Sequence, residues 1–418
     1  MEKLIINGGR PLNGKVKLQG SKNSALPVLA AAAAVDGISV IHNCPDLSDV
    51  SAAIKILEHI GCKTKREGHT VIVDATCASG FEISERLMRE MRSSIVFLGA
   101  LLARFGKARV TPPGGCEIGL RPIDLHLSSL RSMNAEICEK GGILECSAGG
   151  GLKGCHISLA FPSVGATENI ILSALAAEGE TVITNAAREP EITDFADFLS
   201  QCGAKISGAG QSEIRIQGAK KLHGAEHTII PDRIVASTFM ACAASTGGEI
   251  AISGAVREHL APVIPVFETA GCSVDFISDE MKIKAPKRLG RVKSLRTMPY
   301  PGFPTDSQAI IMAMLVRAKG TSVITEKIFE NRFRHVPELI KMGADIRVED
   351  GCVAVIDGVE RLRGAKVSAG DLRGGCALAV AALSVPERTV IDKIYHIDRG
   401  CEALETSLAE LGAEIKRA

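Results

Sequence analysis

Two α/β domains, each assembled from three copies of one unit of about 70 residues, are what this sequence predicts. Three observations carry that expectation: a turn-and-strand landmark that recurs along the whole chain, a helix-closing landmark that keeps the same step, and helices that are apolar almost all round. The first landmark is a Gly followed by a β-branched strand, at Gly37–Ile41, Gly106–Val110, Gly179–Ile183, Gly248–Ile252 and Gly320–Ile324; a last copy, Glu387–Ile391, has lost the Gly. Successive starts lie 69, 73, 69, 72 and 67 residues apart.

The second landmark is the end of an amphipathic helix closed by Gly or Asn and followed by a short polar strand. It occurs at Leu57–Gly61, Leu130–Asn134, Leu199–Gly203, Phe267–Gly271, Leu339–Gly343 and Leu408–Gly412. Gly and Asn tolerate the left-handed backbone that commonly ends a helix, so each copy reads as helix, C-cap, strand. A unit holding strands and two helices is too long for the usual solenoid repeat, and six of them fit two domains of three. The seam is expected near Glu226–Arg233, after the third unit. The first helix of each unit, as in Ala25–Val35 or Ile170–Ala177, has no polar face and is expected to be buried.

Composition narrows the function. The chain has 418 residues, 46% of them hydrophobic and 23% charged, as in a globular protein with substantial cores. The formal net charge of +1 gives no bulk field for nucleic acid or an acidic membrane, and with no Trp and only Tyr300 and Tyr395 there is no platform for stacking bases. The 13 cysteines include no Cys-x-x-Cys pair and no zinc spacing, so most are expected to be reduced, buried small hydrophobes, and no metal site is expected. The first residues lack the long apolar run of a signal peptide, and the Ala30–Ala34 run is too short to span a bilayer. A cytoplasmic protein without membrane insertion is the expectation.

Polar residues gather at the N-terminal turns of the apolar helices: Ser21–Ser24, Arg92–Ser94, Ser163–Thr167, Asp232–Arg233, Thr305–Ser307 and Asp371–Arg373. Helix capping accounts for Ser24, Thr305 and Asp371. It does not account for Lys22, Arg92, Arg233 and Arg373, because a cation is disfavoured at the positive end of a helix dipole. An anion lying between such cations and the free backbone N–H groups resolves the conflict.

One cysteine stands apart. Pro112–Pro122 is a Pro/Gly-rich loop holding Cys116, with Arg121 close enough in sequence to lower its thiol pKa. A buried structural cysteine and a reactive one are both open readings at this point.

The ordered motifs resolve more. Gly20–Pro27, Met91–Ser94, the cysteine loop running into Arg121-Pro122-Ile123-Asp124-Leu125-His126, Pro162–Glu168, Arg188–Glu191, Pro301–Asp306, Phe329–Phe333, Asp371–Arg373 and Tyr395–Gly400 resemble the UDP-N-acetylglucosamine 1-carboxyvinyltransferases. The likeness runs from residue 3 to residue 417. It implies the enolpyruvyl transferase fold, an inside-out α/β barrel of two similar domains, each of three βαβαββ repeats. It places 1–21 and 230–418 in one domain and 22–229, with the Cys116 loop, in the other. It also implies the first committed step of peptidoglycan synthesis, and hence a part in cell wall, cell shape and cell division.

The resemblance implies transfer of the enolpyruvyl group of phosphoenolpyruvate to the 3-hydroxyl of UDP-N-acetylglucosamine by addition and elimination through a tetrahedral ketal, releasing phosphate, with no cofactor. Cys116 is implied as the acid at C3, able to form a covalent adduct and to be alkylated by an epoxide mimic such as fosfomycin. Asp306 is implied as the base for the sugar hydroxyl. Lys22, Asn23, Arg121 and Arg399 are expected around the donor phosphate, and Arg332 and Arg373 around its carboxylate, where a planar fork suits bidentate contact. Asp371 is expected to fix Arg373 or assist proton transfer. For the nucleotide sugar the matching positions are Arg92, Arg121, Pro122, Ile123, Asp124, Leu125, Ser163, Val164, Gly165, Asp306 and Ile328.

The chain departs from the family at three places. Phe161 stands where many relatives have a Lys for a UDP phosphate, Cys401 where an aromatic is usual, and Ser384–Arg388 breaks the usual Gly turn. The nearest rival is the related 3-phosphoshikimate enolpyruvyltransferase, against which the Gly-Gly-Cys loop and the Arg-Pro-x-Asp-Leu-His motif argue. A non-catalytic paralogue that binds a nucleotide sugar or a regulatory protein is disfavoured by the intact Cys116, Asp306, Arg121 and Arg399.

Overall fold

The computed structural model describes residues 2–114, 122–219, 221–278 and 280–418. The chain divides into two compact units: among the described residues, one takes 2–19 and 231–418 and the other 20–114 and 122–230. Each is built from three small sheets and three helices buried on all sides.

In the unit holding 20–230, one sheet runs Glu226–Thr228, Ile38–His42, Thr70–Asp74, Lys63–Glu67. A second runs Lys107–Val110, Ile143–Ser147, Glu136–Lys140, and a third Lys205–Ser207, Glu213–Gln217, Glu180–Thr184, His156–Ser158. In each four-stranded sheet one pair is parallel and the rest antiparallel. Strands alternate buried and more exposed residues, as in Thr70–Asp74, so one face of each sheet covers the helices. The covered helices are Lys22–Ala34, Phe97–Phe105 and Val164–Ala174, which pack on one another and supply much of that unit's core.

The other unit repeats the plan. Its sheets run Ser273–Ile277, Glu280–Lys284, Glu249–Ser253, Asn13–Lys17; then Ser294–Arg296, Thr321–Thr325, Val353–Asp357, Asp345–Glu349; then Lys366–Ser368, Arg388–Asp392, Leu4–Asn7, Glu414–Arg417. Its inner helices are Arg233–Thr246, Thr305–Leu315 and Leu372–Leu383, again in mutual contact. Two N-terminal strands thus complete sheets whose other strands come from beyond residue 248, with Leu4 opposite both Ile391 and Arg417.

Both sequence landmarks fall where expected. All six turn-and-strand copies are strands, from Ile38–His42 to Arg388–Asp392. All six helix-closing residues take positive φ: Gly61 (95°), Asn134 (70°), Gly203 (97°), Gly271 (99°), Gly343 (93°) and Gly412 (91°). A side chain is strained there, and Asn is the residue that bears it best, which is why Asn134 is the one exception to Gly. No helix among the described residues is long and apolar enough to cross a membrane.

Capping corrects part of the sequence expectation. Asp371 does cap its helix, accepting from the N–H groups of Arg373 and Gly374 at 3.0 Å each. Ser24 and Thr305 do not cap. Ser24 lies inside its helix and donates to Asp194, and Thr305 donates to Glu326 at 2.8 Å. Each hydroxyl donates to a carboxylate where a cap would have accepted from a backbone N–H. Arg92 opens a 3₁₀ turn, Arg92–Val96, that leads into the helix Phe97–Phe105.

Candidate active site

Four cations sit at or near helix starts, as the sequence indicated. Lys22 is the first residue of its helix and Arg233 of another; Arg373 is the second residue of Leu372–Leu383, and Arg92 begins the 3₁₀ turn. Lys22 Nζ lies 3.2 Å from the carboxylate of the buried Asp49, on the helix Ser48–His59. Asn23 follows it, half-buried. Pro27 has no N–H to give the carbonyl of Asn23, so that carbonyl is left out of the helical ladder.

The densest cluster lies in the unit holding 231–418. Asp306, in the first turn of Thr305–Leu315, meets Arg332 (Oδ1 to Nη2, 2.6 Å) and Arg373 (Oδ2 to Nη2, 3.5 Å). Both guanidiniums are almost fully buried while the Asp306 side chain keeps 29% of its surface exposed. Arg332 also donates from Nε and Nη2 to the carbonyl of Thr305, at 3.2 and 3.0 Å. Arg373 Nη1 is buried and has no hydrogen-bond partner among the described residues. Burial opposes charge on Arg373, but Asp306 and Asp232 outweigh it and hold its pKa above the ordinary guanidinium value. A desolvated guanidinium whose Nη1 no described residue takes, beside a partly exposed carboxylate, can take up a small carboxylate.

Asp371 stands at the foot of this cluster, holding the N–H of Arg373 and so the helix start that carries its side chain. His335 is buried against the same helix. Burial pulls its pKa down to about 4; Asp371 works against that shift and Arg332 with it. Arg399 ends the 3₁₀ turn Ile394–Arg399 and is half-buried. The turn is fixed from two sides. Arg417 grips Asp398 with both guanidinium nitrogens (2.6 and 3.1 Å), and the Gln19 side chain donates to Gly400 O (3.3 Å) and accepts from Glu402 N (2.8 Å).

In the other unit, Arg92 donates from Nη1 to the carbonyls of Pro113 (3.3 Å) and Gly114 (3.4 Å), the last two described residues before Cys116. Cys116 and Arg121 lie outside the described residues. Pro122 and Asp124 are exposed, with Ile123 and Leu125 half-buried beside them at the start of the helix Asp124–Ser132. Ser163 caps Val164–Ala174 through Ala166 N at 3.3 Å. Gly165 packs on His126: a Cβ added there would sit 3.0 Å from the imidazole Cε1. Asn169 in turn donates to His126 Nδ1 (2.7 Å) and Ile95 O (3.0 Å) and accepts from Gly99 N (2.6 Å). The His126 of the sequence motif is therefore a packing post for the Ser163–Gly165 segment. Phe161 is 43% exposed.

Sequence reasoning missed Asp49, Gln19, Arg417, Asn169 and Glu326, none of which carries a signal of its own. Glu326 alone was within reach, through comparison of the repeats: it occupies the position six residues beyond the turn, where the other copies have Asn43, Pro112, Asn185, Gly254 and Lys393.

The comparisons with known proteins agree on one family. The model for EPSP synthase (3-phosphoshikimate 1-carboxyvinyltransferase) matches residues 6–408. A relative from Caldanaerobacter subterraneus subsp. tengcongensis, named UDP-N-acetylglucosamine 1-carboxyvinyltransferase 2, is 52% identical over 417 residues and covers 100% of each chain. A relative from Trichlorobacter lovleyi, named UDP-N-acetylglucosamine 1-carboxyvinyltransferase, is 48% identical over 100% of this chain and 99% of its own. Among solved structures, the enolpyruvyl transferase NikO from Streptomyces tendae superposes with a TM-score of 0.90 at 28% identity, covering 100% of this chain and 99% of that one. An EPSP synthase from Acinetobacter baumannii shares the fold at a TM-score of 0.76 and 18% identity, covering 100% of both chains. With its six-fold repeat, its two matching units and full-length identity of this order, the chain belongs to the EPSP synthase family of enolpyruvyl transferases, in the branch of the UDP-N-acetylglucosamine 1-carboxyvinyltransferases.

Proposed function

We propose that this enzyme transfers the enolpyruvyl group of phosphoenolpyruvate to the 3-hydroxyl of UDP-N-acetylglucosamine, in the cytoplasm, as the first committed step of peptidoglycan synthesis. The single observation that supports this most is the Asp306–Arg332–Arg373 cluster. It sets a partly exposed carboxylate against two buried guanidiniums, one with a donor that no described residue takes. In this reading the carboxylate of phosphoenolpyruvate takes the guanidiniums of Arg332 and Arg373, and Asp306 turns to the sugar hydroxyl.

The hydroxyl oxygen then adds to C2 of the donor as Asp306 accepts its proton and the Cys116 thiol delivers a proton to C3. Elimination returns the C3 proton to the Cys116 thiolate and breaks the bond from C2 to the phosphate oxygen. The phosphate leaves with one proton, as Asp306 gives up the one it took from the hydroxyl, and its charge is met by Lys22, Asn23, Arg121 and Arg399. Asp371 keeps Arg373 in place. The nucleotide sugar is held by Arg92, Pro122–Leu125, Ser163–Gly165 and Ile328. With Phe161 in place of a cation, its diphosphate depends on Arg92 and Arg121.

The test is phosphate release from phosphoenolpyruvate with UDP-N-acetylglucosamine or shikimate 3-phosphate as acceptor. Turnover with the nucleotide sugar alone is expected, and turnover with shikimate 3-phosphate alone would overturn the reading. Fosfomycin in the presence of UDP-N-acetylglucosamine is expected to add one equivalent of mass at Cys116, and its absence would remove that residue from the mechanism.

A further inference from the structure

Glu326 has one of the most closely held carboxylates in the molecule. It is 1% exposed. Oε1 accepts from Thr297 Oγ1 (2.9 Å), Ile328 N (2.7 Å) and Phe329 N (3.2 Å), and Oε2 accepts from Thr305 Oγ1 (2.8 Å). Among the described residues no ion pair reaches it. Four neutral donors therefore bear the whole cost of burying the charge, and each bond is of the stronger charge-assisted kind.

The repeat shows that this is a departure. Six residues beyond the turn, four of the other five copies, Asn43, Asn185, Gly254 and Lys393, take left-handed backbone, with φ between 52° and 81°, and the fifth has Pro112. Asn43 and Asn185 donate to the carbonyls of Ile229 and Leu159, each the residue just past the adjoining parallel strand. Thr297 holds the matching place beside Glu326, past the strand Ser294–Arg296. In the fifth repeat the polarity of this link is reversed: the side chain accepts where Asn donates. The reversal leaves the carboxylate able to hold three further groups, and all three lead to the cluster around Asp306.

We propose that Glu326 is a positioning residue for the transfer reaction, acting through Thr305 to hold Asp306 and Arg332 at their working separation; this rests on the reading of Asp306 given above. The connection is a closed ring. Glu326 holds the Thr305 hydroxyl, and the Thr305 carbonyl holds the Arg332 guanidinium. Arg332 follows Phe329 by three residues, and the Phe329 and Ile328 amides return to Glu326. Asp306 is next in sequence to Thr305 and is paired with Arg332. A shift at Thr305 displaces both members of the pair at once.

Thr305→Val removes the hydroxyl donor while keeping shape, and Thr305→Ser keeps the donor while losing a methyl. Steady-state kinetics with UDP-N-acetylglucosamine and phosphoenolpyruvate are measured on both, and on Glu326→Gln, each with its unfolding midpoint. Thr305→Val is expected to lower kcat by on the order of tenfold or more, the scale of a small misplacement in an active site. Thr305→Ser is expected to recover most of that loss, and Glu326→Gln to fall between them. Unchanged kcat in folded Thr305→Val, or Thr305→Ser no better than Thr305→Val, would overturn the proposal. If Thr305→Val does not fold, wild-type kcat in Glu326→Gln overturns it equally. Asp306→Asn is the control: if that variant turns over normally, the assigned role of Asp306 fails first.

Discussion

Asp306 Oδ1 lies 2.6 Å from Arg332 Nη2, so the expected base and one expected holder of the donor carboxylate are ion-paired with each other. The same acid also reaches Arg373 at 3.5 Å. Replacing Asp306 by Asn takes the paired carboxylate from two buried guanidiniums and leaves Arg373 with the field of Asp232. Turnover is expected to fall by on the order of 10² or more, the range that a general base contributes. Stability should fall by about 1–3 kcal/mol, less than for a fully buried pair because Asp306 is partly exposed. Kinetics and denaturant titration on one preparation check both.

Acid should weaken the protein through two histidines. Burial holds His126 at a pKa of about 4, aided by Arg92 and opposed by Asp124, and burial likewise holds His335 at about 4. Unfolded, each has a pKa near 6.5, so below that pH the unfolded chain binds protons that the native state refuses. Their contribution is present above about pH 6.5 and is lost as pH falls toward 4. Unfolding midpoints between pH 7.5 and 4.5 should decline with this profile, and less steeply in His126→Gln.

Native alkylation should be selective. Among the described cysteines only Cys77 and Cys138 are exposed. Burial pushes the thiols of Cys62 and Cys146 up to about 11 and those of Cys202 and Cys272 to about 12. Iodoacetamide at pH 7.5, followed by peptide mass analysis, should label Cys77 and Cys138 before any of these four. Early labelling of Cys202 or Cys272 would contradict the packing.

Gly412 has φ 91° and open space where a Cβ would go. Gly412→Ala should therefore cost only the backbone term, about 1–2 kcal/mol. Gly20→Ala is a different case, because its Cβ would meet the carbonyl oxygen of Asn43 at 1.7 Å. It should yield little soluble protein, whereas Gly412→Ala should fold and melt a few degrees lower.

Much of the fold was legible because each repeat writes its own punctuation. A glycine that must turn left and a helix with no polar face are local constraints, visible in a single copy and confirmed by the next. The cations at helix starts, Lys22, Arg233 and Arg373, were legible for the same reason: they contradict the helix dipole. What stayed hidden was partnership across sequence distance. Nothing near Asp306 says that Arg332 will hold its neighbour's carbonyl, and nothing near Asp398 names Arg417. Capping is the natural reading of Ser24 and Thr305 because the backbone N–H donors at a helix start are local, while the acceptors Asp194 and Glu326 enter only through tertiary packing.

The strand Leu4–Asn7 lies between Arg388–Asp392 and Glu414–Arg417. A ribosome delivers that strand long before either neighbour exists, so it must wait unpaired through most of translation. The 20–230 unit has all its described strands within its own span and can mature during that delay. The order of assembly is thereby written into the topology: the inserted lobe can form early, and the enclosing one can be sealed only when the far end of the chain arrives.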